Sequence, residues 1–204
     1  MMLLKKAEHM LFPVTSGFES VSLDRIVNRR RNLNLKFPAW NSDSGAGTFW
    51  DLTTIAAITE SLAPQLCFEI GTGHGRSTWT MALNSPPDAK VYTLDIGGEK
   101  VGSAFREQPG SEKIRQIIAD SKSYRFDEFE GRAGLVLIDG GHDHESVLAD
   151  TQIAFRLVAP GGAILWHDLT PDWPGVISAL RQSKTLGTIC RISGTAFAYA
   201  GPMA

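Results

Sequence analysis

The residues most able to do chemistry form a series of acids, each near or just past the end of a short apolar run. Glu69 lies within Leu66–Ile70, Asp95 follows Val91–Leu94, Asp120 follows Arg115–Ala119 and Asp139 follows Leu135–Ile138. Asp168 follows Ala163–Trp166 one position late, behind His167. A single acid at such a place often caps a helix or closes a turn. Five acids in the same relation to five runs point to one rim lined with carboxylates. Such groups accept hydrogen bonds from sugar hydroxyls and amines. After Glu69 comes Gly71-Thr-Gly-His-Gly75, then Arg76-Ser-Thr78. Glycines let the backbone turn sharply and let a ligand approach it, and a helix opening behind them aims free N–H groups at that ligand. The spacing is G-x-G-x-G. A dinucleotide fingerprint needs glycine at position 76, where Arg76 stands, and this weighs against a nicotinamide-dependent oxidoreductase. Asp95 suits the ribose of any nucleoside. His142 can serve as a general base, because an imidazole titrates near neutrality; it can equally be a turn residue bonded to its own loop. His74 and His144 are weaker candidates, with His144 placed to begin the next helix, and His9 carries no signal.

These groups need elements to hold them. Leu52, Ile55, Ala56, Thr59 and Leu62 share one face of a helix over 49–62, which Pro64 ends. Val147, Leu148, Thr151, Ala154, Phe155 and Val158 share a face over 145–158, stopped by Pro160-Gly-Gly162. A further helix is expected over 174–184. The five apolar runs read as strands, and their alternation with helices implies parallel pairing. A strand covered on both faces is apolar throughout, as Leu135–Ile138 is. Thr188–Ile192 and Thr195–Ala200 flank Ser193-Gly194, which reads as the two-residue turn of a closing hairpin. The expected fold is α/β, a doubly wound, mostly parallel seven-stranded sheet with helices on both faces and a C-terminal antiparallel hairpin. Residues 1–48 differ in texture and are expected to form a separate N-terminal segment, an active-site cap, ahead of the 49–204 domain.

Lys and Arg number 20 against 22 Asp and Glu, a net charge of -2. That balance disfavours binding of nucleic acid through bulk positive charge. No run is long and apolar enough to span a membrane, and no signal peptide is recognisable, so a cytoplasmic location is expected. Cys67 and Cys190 lie in apolar runs and read as buried thiols. Arg29-Arg30-Arg31 with Lys36 could meet an anionic group or form a solvated face. Trp40, Phe49, Trp50 and Trp173 could line a pocket or pack a core.

Phe68-Glu-Ile-Gly-Thr-Gly-His-Gly75, Tyr92-Thr-Leu-Asp95 and Ile118-Ala-Asp-Ser121 together resemble class I S-adenosylmethionine-dependent methyltransferases. The stretches 135–150 and 160–168 resemble the subgroup of macrocin O-methyltransferases and cephalosporin hydroxylase-like proteins. The resemblance covers about residues 49–201. It implies that Glu69, Gly71, Thr72 and Gly73 surround the methionine part of the cofactor. Asp95 would hold the ribose, Asp120 and Ser121 would lie beside the adenine, and Asp139 would sit near the sulfonium. His142 and Asp139 would be the catalytic residues, acting on a hydroxyl of a small-molecule substrate. Relatives in the subgroup often bind a divalent metal such as Mg²⁺ at positions matching Asp139 and Asp168. They carry an acid where this chain has His167, so a metal-assisted and a metal-free reaction both stand. A non-catalytic cofactor-binding protein on the same fold is the rival reading. The sequence leaves the oligomeric state open, a homodimer included.

Overall fold

The central strands form because their residues are apolar on both faces and are matched by helices on both sides. A computed structural model describes residues 17–27, 32–38 and 49–204. Arg29–Arg31, Trp40, His9 and the stretch 41–48 lie outside the described residues. In chain order the strands are β1 (Glu19–Val21), β2 (Leu66–Ile70), β3 (Lys90–Asp95), β4 (Ile114–Ile118), β5 (Ala133–Ile138), β6 (Val158–Trp166), β7 (Cys190–Ile192) and β8 (Ala198–Ala200). The helices are α1 (Phe49–Leu62), α2 (Arg76–Asn84), α3 (His144–Leu157) and α4 (Pro174–Ser183).

One sheet runs β1-β7-β8-β6-β5-β2-β3-β4. The pairs from β6 through β5, β2 and β3 to β4 are parallel, and β8 runs antiparallel to both β6 and β7. Alternate side chains of the central strands point to opposite cores. Phe68, Ile70, Val136, Ile138, Ile164 and Trp166 pack with Val147, Leu157, Val176 and Leu180 of α3 and α4. Cys67, Leu135, Leu137 and Leu165 pack with Ile55, Ile58, Trp79 and Met81 of α1 and α2. The expected doubly wound architecture is therefore present. Both cysteines are buried and free.

Three details differ from the sequence reading. The helix expected to reach Val158 and stop at Pro160-Gly-Gly162 ends at Leu157, and those residues lie inside β6. The sheet has eight strands, not seven: Glu19–Val21 pairs in parallel with β7 at the edge. The hairpin loop is also wider than Ser193-Gly194. The ladder Cys190↔Tyr199 and Arg191↔Ala198 continues as an Ile192 N–H donating to Phe197 O at 2.9 Å. Four residues therefore turn the chain, and Gly194 supplies the positive φ of 76°. None of the helices among the described residues is long and apolar enough to cross a membrane.

Candidate active site

Consecutive strands β2 and β3 lie to one side of the sheet, and β5 and β6 to the other. The crevice at this reversal, between the carboxyl ends of β2 and β5, is where open α/β sheets bind ligands. All five acids of the sequence reading lie along this rim.

Glu69, inside β2, is fully buried. Its carboxylate accepts from the hydroxyls of Ser77 and Thr78 in the first turn of α2, and from Thr93 Oγ1 of β3 at 2.5 Å. Burial pushes its pKa up to about 7, against the opposing pull of these three donors. Glu69 thus ties the start of α2 to the sheet under the glycine loop. Thr72 Oγ1 bonds Thr93 Oγ1 at 2.7 Å and joins this network. Gly71 has φ 98° and sits so close to β5 that an added Cβ would lie 2.0 Å from Asp139 O. Gly73 has φ 49° and nothing within 4 Å of the same added atom. One glycine permits close packing of loop on strand; the other leaves an open cradle.

Asp95 organises the loop from the neighbouring strand. Its Oδ2 accepts from Gly73 N–H and its Oδ1 from Gly97 N–H, both at 3.0 Å. Asp120 is exposed and accepts from Lys122 N–H at 2.9 Å. Ser121 Oγ donates to Asp150 Oδ1 at 2.7 Å. Asp150, on α3, was missed by sequence reasoning. It is buried, and burial raises its pKa. Its signal was present: it lies three residues after Val147 and four before Ala154, an acid on the apolar face. Ile96 and Ile118, at the ends of β3 and β4, are exposed apolar side chains on the same rim.

The opposite half of the rim holds two histidines among carboxylates. A small solvent-open cleft is lined by Asp139, Gly140, His142, His167, Asp168 and Trp166 among others. His142 Nε2 meets Asp168 Oδ2 at 2.7 Å, and its ring stacks on Trp173 with centroids 4.0 Å apart. An ionised carboxylate only accepts, so Nε2 carries a proton, and in the neutral ring Nδ1 is then the nitrogen with the lone pair. Asp168 adopts φ 60°, a left-handed conformation that aspartate tolerates better than most residues. Burial opposes its ionisation, but the bonds and charge from His167 and His142 hold its pKa below the usual carboxylate range.

His167 occupies the middle. Its Nδ1 lies 3.2 Å from Asp139 Oδ1 and 3.2 Å from Asp168 Oδ2, and its Nε2 lies 3.6 Å from Asp51 Oδ2. Burial would depress its pKa, yet the three carboxylates overcome this and raise it to about 12. Sequence reasoning singled out His167 only as a departure and did not find Asp51, whose place in the first turn of α1 is an ordinary one for an acid.

Asp139, His142 and Asp168 bring one possible ligand atom each within 4.8 Å of one another. The fit to Mg²⁺ is nevertheless poor. Mg²⁺ demands oxygen ligands in near-octahedral order. Here one of the three donors is an imidazole already bonded to Asp168, and a ring N–H of His167 stands between the two carboxylates.

The other candidates resolve as follows. His144 begins α3 and bonds Ser178 and Gln182 of α4. His74 Nδ1 lies 3.4 Å from Ser103 Oγ. Phe49 and Trp50 are exposed at the start of α1, and Phe49 packs on Phe37 at 5.4 Å. Lys36 is held through its backbone by Asn84 of α2.

A family model described as a methyltransferase domain matches residues 68–169, half of the chain. Comparison with curated proteins finds no match. The fold is similar to cofactor-bound Rv0187 from MTB, with a TM-score of 0.62 and 20% identity over 76% of this chain and 81% of that one. It is similar also to TomG, an O-methyltransferase from Streptomyces achromogenes involved in tomaymycin synthesis, in complex with SAM (TM-score 0.62, 16% identity, 78% and 82% covered). An O-methyltransferase from Bacillus cereus in complex with SAH gives a TM-score of 0.58 at 16% identity over 77% and 83%. With the family match spanning the glycine loop, the acid rim and the His167-Asp168 pair, the chain belongs to the class I S-adenosylmethionine-dependent methyltransferases.

Proposed function

We propose that this protein methylates a hydroxyl oxygen of a small molecule, with His142 taking the hydroxyl proton. S-adenosylmethionine supplies a methyl group already activated on a sulfonium sulfur, so the protein's task is alignment and proton removal. Glu69 fixes the start of α2 beneath the loop, and Gly71, Thr72 and Gly73 cradle the methionine part. Asp95 holds the ribose hydroxyls with the acceptor capacity left beside its two backbone bonds. Asp120 and Ser121 lie by the adenine, between the exposed Ile96 and Ile118. Asp139 faces the sulfonium charge from across the crevice. The acceptor hydroxyl would give its proton to Nδ1 of His142 as its oxygen takes the methyl group, and the methyl–sulfur bond would break to leave S-adenosylhomocysteine. Asp168 holds the ring in the tautomer this requires and stabilises the charge that forms.

The carrying observation is the His142–Asp168 pair at 2.7 Å on the cleft that adjoins the glycine loop. Residues 1–48 we assign to the acceptor side. The packing of Phe37 on Phe49 supports this, since Asp51 of the cleft's ionic cluster lies two residues further on. Calorimetry with S-adenosylhomocysteine tests the cofactor half, and a methyl-label screen of hydroxylated small molecules tests the acceptor half. Saturable binding and label transfer that His142→Asn abolishes are expected. A folded sample that binds no S-adenosylhomocysteine overturns the reading. Binding with no transfer to any acceptor, unchanged by Asp139→Ala and His142→Ala, would instead mark a non-catalytic cofactor-binding protein.

A further inference from the structure

Three carboxylates converge on one half-buried spot from three elements: Asp51 from α1, Asp139 from the end of β5 and Asp168 from beyond β6. Such a cluster needs a cation, because like charges in a poorly solvated site repel strongly. Both ring nitrogens of His167 face carboxylates: Nδ1 faces Asp139 and Asp168, and Nε2 faces Asp51. An ionised carboxylate cannot donate, so Nδ1, at 3.2 Å from two of them, must; Nε2 lies 3.6 Å from the third, and three carboxylates around one imidazole favour its cationic form. The ring is fixed in place. Its side chain is 17% exposed, it packs on Phe197 at 4.9 Å, and its backbone N–H donates to Ile138 O.

We propose that His167 is a built-in replacement for a divalent metal, bridging Asp139 and Asp168 and making this methyltransferase metal-independent. The inference rests on the methyltransferase reading of the cleft. It assigns His167 a positioning role: it sets where the Asp168 carboxylate lies, and Asp168 in turn orients His142 through the same Oδ2 atom. A metal seated between Asp139 and Asp168 would have to evict the imidazole and add its charge to a site already compensated.

The test uses Mn²⁺ as probe, because its electron paramagnetic resonance signal falls on binding and it accepts the oxygen-rich sites that Mg²⁺ uses. The full-length wild type should leave the Mn²⁺ signal unchanged at millimolar metal. Its S-adenosylhomocysteine affinity should be the same with EDTA or with Mg²⁺. His167→Asp removes the internal cation and adds an oxygen ligand, and should tighten Mn²⁺ binding at least about tenfold. His167→Asn keeps a donor but not the charge, and should gain affinity to a smaller degree; it serves if the aspartate variant does not fold. Tight Mn²⁺ binding by the wild type, or no gain in a folded variant, overturns the proposal. Loss of S-adenosylhomocysteine binding in the wild type would overturn the methyltransferase reading instead, and the Mn²⁺ titration separates the two.

Discussion

Replacing Gly71 by alanine should damage the protein chiefly through its scaffold, whereas the same change at Gly73 should damage chiefly binding. At Gly71 the new Cβ would lie 2.0 Å from Asp139 O, 2.3 Å from the Asp139 carbonyl carbon and 2.6 Å from Gly140 N. Carbon and oxygen atoms approach to roughly 3.3 Å at the closest. The loop and the end of β5 must therefore part by about 1 Å or more. Yet the Asp139 N–H donates to Ile70 O at 2.8 Å and holds them together. A left-handed alanine costs about 1–2 kcal/mol, overpacking about 1–3 kcal/mol and the weakened hydrogen bond about 1 kcal/mol. The total of about 3–6 kcal/mol lowers Tm by at least about 6 °C in a chain of this size. At Gly73 only the conformational cost applies, about 1–2 kcal/mol, because nothing lies within 4 Å. Its methyl group would project into the cradle, and S-adenosylhomocysteine affinity should fall at least about tenfold, the loss of one well-packed contact. Thermal unfolding and calorimetry on both variants decide the matter. A Gly71→Ala protein melting within 2 °C or so of the wild type, or a Gly73→Ala protein with undiminished affinity, refutes the division of labour between the two glycines.

Other expectations follow from the same geometry. The folded-state pKa of Glu69, near 7 against an ordinary 4.5, means the folded protein keeps a proton that the unfolded chain releases between those values. Stability should therefore fall as pH rises from 4.5 to 7 by up to about 3 kcal/mol, and Glu69→Gln should remove that slope in urea unfolding at pH 5 and pH 8; parallel profiles for the two proteins would contradict it. Asp168→Asn should lower methyl transfer about 10²–10⁴-fold, the usual scale of general-base catalysis, with S-adenosylhomocysteine affinity nearly unchanged; an unaltered rate at saturating acceptor would remove the pair from the mechanism. Asp95→Ala frees the amides of Gly73 and Gly97, so hydrogen exchange at both should accelerate while Gly71, bonded to Leu94 O, stays protected.

The central sheet was legible because its strands are apolar on both faces; Leu135–Ile138 could be little else. The acids were legible because each lies near or just past the end of such a strand, and parallel pairing brings all carboxyl ends to one rim. Glu19–Val21 was not legible. Glu-Ser-Val carries no apolar run, and its strand conformation comes from pairing with β7 rather than from its own residues. The turn signal Ser193-Gly194 was read too narrowly, since a glycine at positive φ serves a four-residue loop as well as a two-residue one. In the site, the resemblance of the Asp139-Gly-Gly-His142 stretch points to His142, but the sequence does not reveal that its ring meets Asp168, because that residue lies 26 positions on, at a left-handed φ of 60°. Asp51 and His167 lie in different elements with no shared motif, so only the folded chain brings them together.

The edge strand β1 has a further consequence, for the way the molecule is made. Its parallel partner β7 lies near the far end of the chain, and the Ser20–Ser193 hydroxyl bond spans 173 positions. On the ribosome, β1 emerges early and has no mate until almost the whole domain has been synthesised. Such distant contacts are costly to close and form late. Of the described strands, the first to be translated is thus the last to dock. Until it does, the backbone groups of β7 remain an unguarded edge for a neighbouring nascent chain to join.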